Sequence, residues 1–381
     1  MFDLIIRSMT QRKMRTGLTI FGIALGIFAV VVMGGMSEHL NLMVDNSFKL
    51  AGNAIEIGPE SSVGLGNLDV SKIKQIKRVP GVSDAYGILV TALDTEGVSN
   101  GMEELIIGIP PENQLKDAKL ASGRYLVPGD GYKAVVGSSI ARKYNLKVGD
   151  ELEIKSKSVQ RASSITHTRN VSVVGILAYT GSFFDNRVQI PLERAQKFYK
   201  MENTVSLIFA EYTPGVDPSE LAKRIDLSVE KVKSKTPQQQ RKEAEGFLMI
   251  FGLITISAAV LAAIIGGLSV MNTMLMSVSE RTKEFGLLKA LGAERKTILL
   301  MTMGEAALMG VIGGITGIAA GGVLTHFLNK SFEAQGSALF AITPRLVMIG
   351  LLFAISLGII CGTYPAYRAT KMSPMEALRY E

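Results

Sequence analysis

Residues 17–36 read GLTIFGIALGIFAVVVMGGM, without one charged side chain. A helix rises 1.5 Å per residue, so a run of about 20 residues matches the roughly 30 Å hydrocarbon core of a bilayer. Three more such runs follow. The uncharged stretch 246–279 holds a second span, placed at 246–278; a third covers 297–328; a fourth covers 344–364, opened by Pro344, a residue suited to a first helical turn. Mean hydropathy of +0.27 over the chain agrees with this reading. At 34 residues the second uncharged run is longer than a bilayer core, so its helix is expected to project from the membrane or to bend. The first run is long and leads into SEHLNLM rather than into a small-residue cleavage site, which predicts an uncleaved signal anchor.

Charge sets orientation. The formal net charge is +7, but residues 37–245 hold 27 Lys and Arg against 26 Asp and Glu. The excess lies beside the spans, which argues for membrane orientation and against nucleic acid as a partner. Arg7, Arg12, Lys13 and Arg15 precede the first span in the amphipathic segment 1–16. Arg281, Lys283, Lys289, Arg295 and Lys296 lie between spans two and three, and Arg368, Lys371 and Arg379 follow span four in the tail 365–381. The outer loop 329–343 has only Lys330, offset by Glu333. The positive-inside rule places both termini and the 279–296 segment in the cytoplasm, and residues 37–245 outside.

The outer region has mixed patterning. AIEIG, ELIIGI and NVSVVGILAY read as strands, and DVSKIKQIKRVPGV as a short helix started by Asp69 or Ser71. KAVVGSSIARKYNLKVGDELEIKSKS reads as strand, helix, a turn at Gly149-Asp150 and strand. DPSELAKRIDLSVEKVKSK reads as one helix started by Asp217 or Ser219. The expected fold is therefore a membrane protein of four transmembrane helices, with a large α+β extracytoplasmic domain inserted between the first and second. A β-rich subdomain is expected at about 115–195.

Catalytic signatures are sparse. The chain lacks GxxxxGK[ST], HExxH, CxxC and GxSxG, and Gly64 and Gly66 make a bare GxG. His39, His167 and His326 lie far apart, and Cys361, the single cysteine, sits in an apolar span as packing. The chain reads as non-catalytic.

The stretch SERTKEFGLLKALGAERKTI, residues 279–298, is dense in charge yet repeats Phe285, Leu288 and Leu291. Glu280 to Leu291 reads as a helix stopped by Gly292. Two uses are open: a helix lying at the lipid surface, its basic residues on anionic headgroups, or a docking helix for a cytoplasmic partner.

SERTKEFGLLKALGAERKTILLMTMGEA resembles the coupling segment of MacB/FtsX-like ABC transporter permeases, the type VII or mechanotransmission class. GTYPAYRATKMSPMEALRYE resembles that family's C-terminal ending, RKMRTGLTIFGIALGIFAVVVMGGMSE its first span, and KAVVGSSIARKYNLKVGDELEI followed by VSVVGIL its outer insert. The resemblance implies a MacB-like periplasmic core with porter-like and β-rich sabre-like subdomains. It implies a permease dimer, most simply a homodimer and alternatively a heterodimer, served by a MacB/LolD-like cytoplasmic ABC ATPase, which uses ATP and Mg. No cofactor is expected on this chain itself. Only 16 residues precede the first span, so the ATPase is expected as a separate chain. A membrane-fusion adaptor is a further implied partner. Efflux of an amphipathic compound or peptide is the leading activity; lipoprotein release and control of a cell-wall hydrolase are alternatives, and an anchored adhesion or sensor protein is a third class.

Within that frame Glu280, Arg281, Glu284, Phe285, Leu288, Lys289, Leu291 and Gly292 are expected to couple to the ATPase, with the apolar three entering its groove. Gly22 and Gly26, with Ala258, Ala262 and Gly266, form small-residue stripes assigned to dimer packing. Gly310/Gly314 and Gly313/Gly317/Gly321 are expected to face span four. Glu305, near the cytoplasmic start of span three, is expected to brace Lys289, Arg295 or the coupling helix.

Overall fold

The computed structural model describes residues 13–60, 66–93, 104–115, 118–160, 163–333 and 338–371, with the side chains of 156–166 and 333 left out. Arg7, Arg12, Gly64, Arg379 and most of the segments 1–16 and 365–381 therefore lie outside the described residues. The chain divides into two compact units: Leu40–Phe247 with Lys330–Ala338, and the helical remainder.

Among the described residues, four helices are long and apolar enough to cross a membrane: α1 (Lys13–Ala51), α6 (Pro237–Glu280), α8 (Arg295–Glu333) and α9 (Pro344–Lys371). Each exceeds its expected span. Past Met36 the polar residues of SEHLNLMVDNSFKLA end the apolar run without breaking the helix, which stops only before Gly52 at φ +72°. α6 begins nine residues before the apolar stretch because TPQQ closes a capping box: Gln239 N donates to Thr236 Oγ1 at 3.2 Å and Thr236 N to Gln239 Oε1 at 3.0 Å. α6 runs unbroken over 44 residues, so of the two expected outcomes it projects. α9 continues through Pro365 to Lys371, past the expected end at 364.

Small residues set how these helices meet. A Cβ added at Gly26 would lie 2.8 Å from Ala262 Cβ, one at Gly22 3.4 Å from Ser269 Oγ, and one at Gly266 3.6 Å from Ile23 Cα. The Gly22/Gly26 and Ala262/Gly266 stripes thus join α1 to α6 within one chain, which corrects their assignment to dimer packing; Ala258 is half-buried on the same helix. Gly310 and Gly314 abut Ala354 of α9, as expected. Gly313, Gly317 and Gly321 instead abut Ile23, Ile27 and Val31 of α1. α8 is therefore packed on two sides, around a core of Ile23, Ile27, Val31, Val270, Met274, Ala306, Met309 and Ala354.

The outer unit contains β1 (Ala54–Pro59), β2 (Leu68–Asp69), α2 (Ser71–Lys77), β3 (Val82–Ala92), β4 (Leu105–Ile109), β5 (Leu120–Gly123), β6 (Lys133–Val136), α3 (Ser138–Lys143), β7 (Glu151–Gln160), β8 (Ser163–Leu177), β9 (Arg187–Pro191), α4 (Leu192–Tyr199), β10 (Thr204–Val205), β11 (Leu207–Tyr212), α5 (Pro218–Ser228) and β12 (Val232–Lys235). Asp217 caps α5 through Ser219 N at 2.9 Å. The expected helix 217–235 is corrected: its second half, VKSK, is an edge strand paired with β1. One sheet runs β12-β1-β11-β3-β4-β9-β6-β8-β5, with β7 on β8; β4–β9 and β6–β8 are parallel. Its two largest cores lie one under α2 and α5 and one under α3 and α4. The β-rich part is thus continuous with the rest of the sheet, and β4 joins its core although it precedes residue 115.

The outer length of α1 is gripped inside this unit. Asn46 Nδ2 donates to Thr180 O at 3.1 Å and Phe183 N donates to Ser47 Oγ at 3.0 Å. Buried Asp185 holds that loop, accepting from Thr180 N at 3.0 Å, Ser182 N at 3.1 Å and Ser138 Oγ at 3.1 Å.

Candidate functional site: the segment between α6 and α8

α6 ends at Glu280, Arg281 turns the chain, and α7 (Thr282–Ala290) follows. Gly292, at φ +92°, ends it: Gly292 N donates to Lys289 O at 3.0 Å and Ala293 N to Leu288 O at 2.9 Å. This is the paired bonding of a glycine-terminated helix, in a backbone region that disfavours a side chain.

α7 is tied to each long helix around it. Arg281 Nη1 lies 3.4 Å from Glu305 Oε2 of α8, while its Nε donates to Glu284 Oε2 at 2.8 Å. Glu305 is only 5% exposed, a burial that requires a cationic or hydrogen-bonding partner. Its partner is thus Arg281, at the turn between α6 and α7, rather than Arg295. Lys289 Nζ donates to Thr370 O of α9 at 2.6 Å. Beside them Arg15 of α1 pairs with Glu280 at 2.9 Å.

The apolar residues of α7 divide between two faces. Phe285 is 3% exposed and packs with Val278 of α6, Ile298 of α8 and Ala369 of α9, with Leu288 against the same cluster. This corrects the expectation that both enter a partner's groove; they seat α7 on its own bundle. Leu291 is 77% exposed, and Leu287, which the sequence reading passed over, is 54% exposed. Leu287 and Leu291 are four residues apart, neighbours on one helical face, and Lys283, Glu284 and Ala290 are exposed with them. The signal for Leu287 was present in that spacing. The free face of α7 is therefore a short apolar pair flanked by charge, mounted on a base fixed to α8 and α9.

The comparisons divide the chain in the same places. The MacB-like periplasmic core domain matches residues 16–227 and the FtsX-like permease C-terminal domain matches 256–374. An uncharacterised ABC transporter permease of Methanocaldococcus jannaschii is 28% identical, over 98% of this chain and 96% of that protein. The uncharacterised ABC transporter permease YknZ of Bacillus subtilis is 25% identical, over 99% and 98%. The macrolide export ATP-binding/permease protein MacB of Bdellovibrio bacteriovorus is 24% identical over 98% of this chain, which spans 61% of that protein's length. The periplasmic region of MacB from Actinobacillus actinomycetemcomitans aligns with 53% of the chain at 12% identity and a TM-score of 0.39. With one family model over more than half the chain and a second over the helical remainder, the chain belongs to the MacB/FtsX-like ABC transporter permeases.

Proposed function

We propose that the chain is the permease subunit of an ABC export complex in which a separate cytoplasmic ATPase docks on α7. ATP and Mg would be used by that partner. The observation that carries the reading is the two-sided α7. Leu287 and Leu291 face outward, while Phe285, Arg281 and Lys289 bind the same helix to the bundle. A partner gripping the outward pair displaces the bundle's end with it. α1 and α6 are unbroken over 39 and 44 residues, about 60 Å each, twice a bilayer core. Both helices hold residues of the outer unit, so the proposed output is movement of the extracytoplasmic domain.

Efflux of an amphipathic compound or peptide is the favoured activity, because a relative over nearly the whole of this chain is a macrolide exporter. A second permease copy belongs to the proposed complex. Since the small-residue stripes are used within the chain, that copy would meet exposed faces of α1 and α6, where Phe21, Leu25, Leu253 and Leu261 lie. The segment 279–296 and both termini are assigned to the cytoplasm of a cell-membrane protein by the charge asymmetry.

The test is reconstitution in nanodiscs with an ABC ATPase subunit from the same organism. The full chain should copurify with it and raise its ATP hydrolysis, while a Lys283→Cys variant in intact cells resists an impermeant thiol reagent that labels Asn170→Cys. Failure to copurify, or external labelling at 283, refutes the assignment.

A further inference from the structure

A second surface lies on the outer unit, between α4 and β8. The guanidinium of Arg169 on β8 lies 4.0 Å from the ring centroid of Tyr132, and that of Arg194 on α4 lies 5.9 Å from the same centroid. Lys200 Nζ is 3.4 Å from His167 Nε2, so β8 and α4 meet a second time. Arg194 and Lys197 lie on α4 and Lys200 caps its C-terminal end, the three spread over about 120° of the helix, and His167 and Arg169 share one face of β8. Arg169, His167, Lys197 and Lys200 are exposed, and Arg194 is half-buried.

Ion pairs are missing here among the described residues. Elsewhere in this unit Asp130 holds Arg124 and Lys133, and Glu104 holds Lys143. Among the described residues, no ion pair includes Arg169, Arg194, Lys197 or Lys200, nor Glu193 and Glu202, their neighbours in sequence. Two guanidiniums at 4.0 and 5.9 Å from one ring centroid are like charges, and an anion reaching both would offset their repulsion. A guanidinium stacked on an aromatic face keeps its in-plane N–H groups free as a fork for oxyanions.

From this we infer that the α4–β8 face binds a phosphate-bearing anion, with Arg169 and Arg194 forking its oxygens beside Tyr132 and Lys197 and Lys200 extending the site along α4. Phosphate is favoured over a single carboxylate because it brings up to two charges and three acceptor oxygens to a ring that two guanidiniums share. The inference is independent of α7 and of the ATPase.

The full chain in nanodiscs of neutral phosphatidylcholine is titrated with tripolyphosphate by calorimetry. Binding that weakens with added salt is expected. Arg169→Gln with Arg194→Gln should raise the dissociation constant at least tenfold, and Lys197→Gln with Lys200→Gln, which leaves the Tyr132 contacts intact, severalfold. Lys233→Gln, an exposed lysine on β12, should leave it unchanged. Two further arms separate sources: poly-glutamate of matched charge, and nanodiscs containing phosphatidylglycerol. Competition by phosphatidylglycerol assigns the phosphate to lipid, and its absence assigns it to a soluble or polymeric anion. Equal binding by the Arg169/Arg194 variant and the Lys233 control, or tighter binding of poly-glutamate than of tripolyphosphate, overturns the inference.

Discussion

Phe285 and the Leu287/Leu291 pair should fail in opposite ways when truncated. Phe285 is 3% exposed and touches residues of α6, α8 and α9, so Phe285→Ala leaves a cavity inside the permease. Truncating a buried Phe costs about 3–5 kcal/mol. That loss should show as a lower unfolding temperature of the permease alone. Leu287 and Leu291 are 54% and 77% exposed, so truncation costs the free permease little. Fully burying a Leu is worth about 1.5–3 kcal/mol, which scales to about 1 and about 2 kcal/mol for the area these two still expose. Together they would contribute about 3 kcal/mol to the proposed docking, on the order of 100-fold in dissociation constant. Leu287→Ala with Leu291→Ala should therefore weaken ATPase binding in nanodiscs by that order, with the unfolding temperature unchanged. The reverse pattern would refute the two-sided reading: unchanged stability with lost binding for Phe285→Ala, and normal binding for the leucine pair.

Two other outcomes follow from the ion pairs. Glu305→Gln removes the buried carboxylate facing Arg281 and should destabilise the permease by about 1–3 kcal/mol, less than a fully buried pair because Glu284 still holds Arg281; thermal unfolding of single and double variants with Arg281→Gln reads the coupling. In the outer unit, the Arg124 guanidinium, then Lys133, holds the Asp130 carboxyl well below the usual aspartate range. A lowered folded pKa contributes stability that is complete above the ordinary value near 3.9 and is lost as pH falls through the folded value. Asp130→Asn should flatten the acid limb of the stability profile below about pH 4, and an unchanged limb would contradict the pairing.

Much of the membrane architecture was legible, since a charge-free run of span length has few alternatives and the K/R-rich loops lie between such runs. The outer helix ends were not, because a polar turn such as PQQQRKEAE ends hydrophobicity without ending the helix. The TPQQ box at residues 236–239 carried that information. Strand order depends on pairings such as β4 with β9, between residues 105–109 and 187–191, for which no local pattern exists. The error at α7 has a geometric cause. A spacing of three residues falls about 60° short of a full turn, so Phe285, Leu288 and Leu291 fan across about 120° instead of forming one stripe. The structure shows that fan directly: Phe285 inside, Leu288 at the margin, Leu291 outside.

The glycine stripes show the complementary lesson. Small residues at every fourth position state that a backbone will come close, but not whose. On α8 the stripes Gly310/Gly314 and Gly313/Gly317/Gly321 lie on adjoining sides, and two stripes demand two neighbours, here α9 and α1. α8 is thereby held at the centre of the bundle, and its buried Glu305 can fix the coupling segment only because α8 itself is fixed. α6 has its close approach to α1 through one stripe and carries exposed Leu253, Leu261 and Ile265 elsewhere on its surface. α6 is held on further sides as well: a Cβ added at Gly267 would lie 2.6 Å from Cys361 Sγ of α9, and Val270 and Met274 enter the core shared with α8, so a displacement of α7 reaches every helix of the bundle.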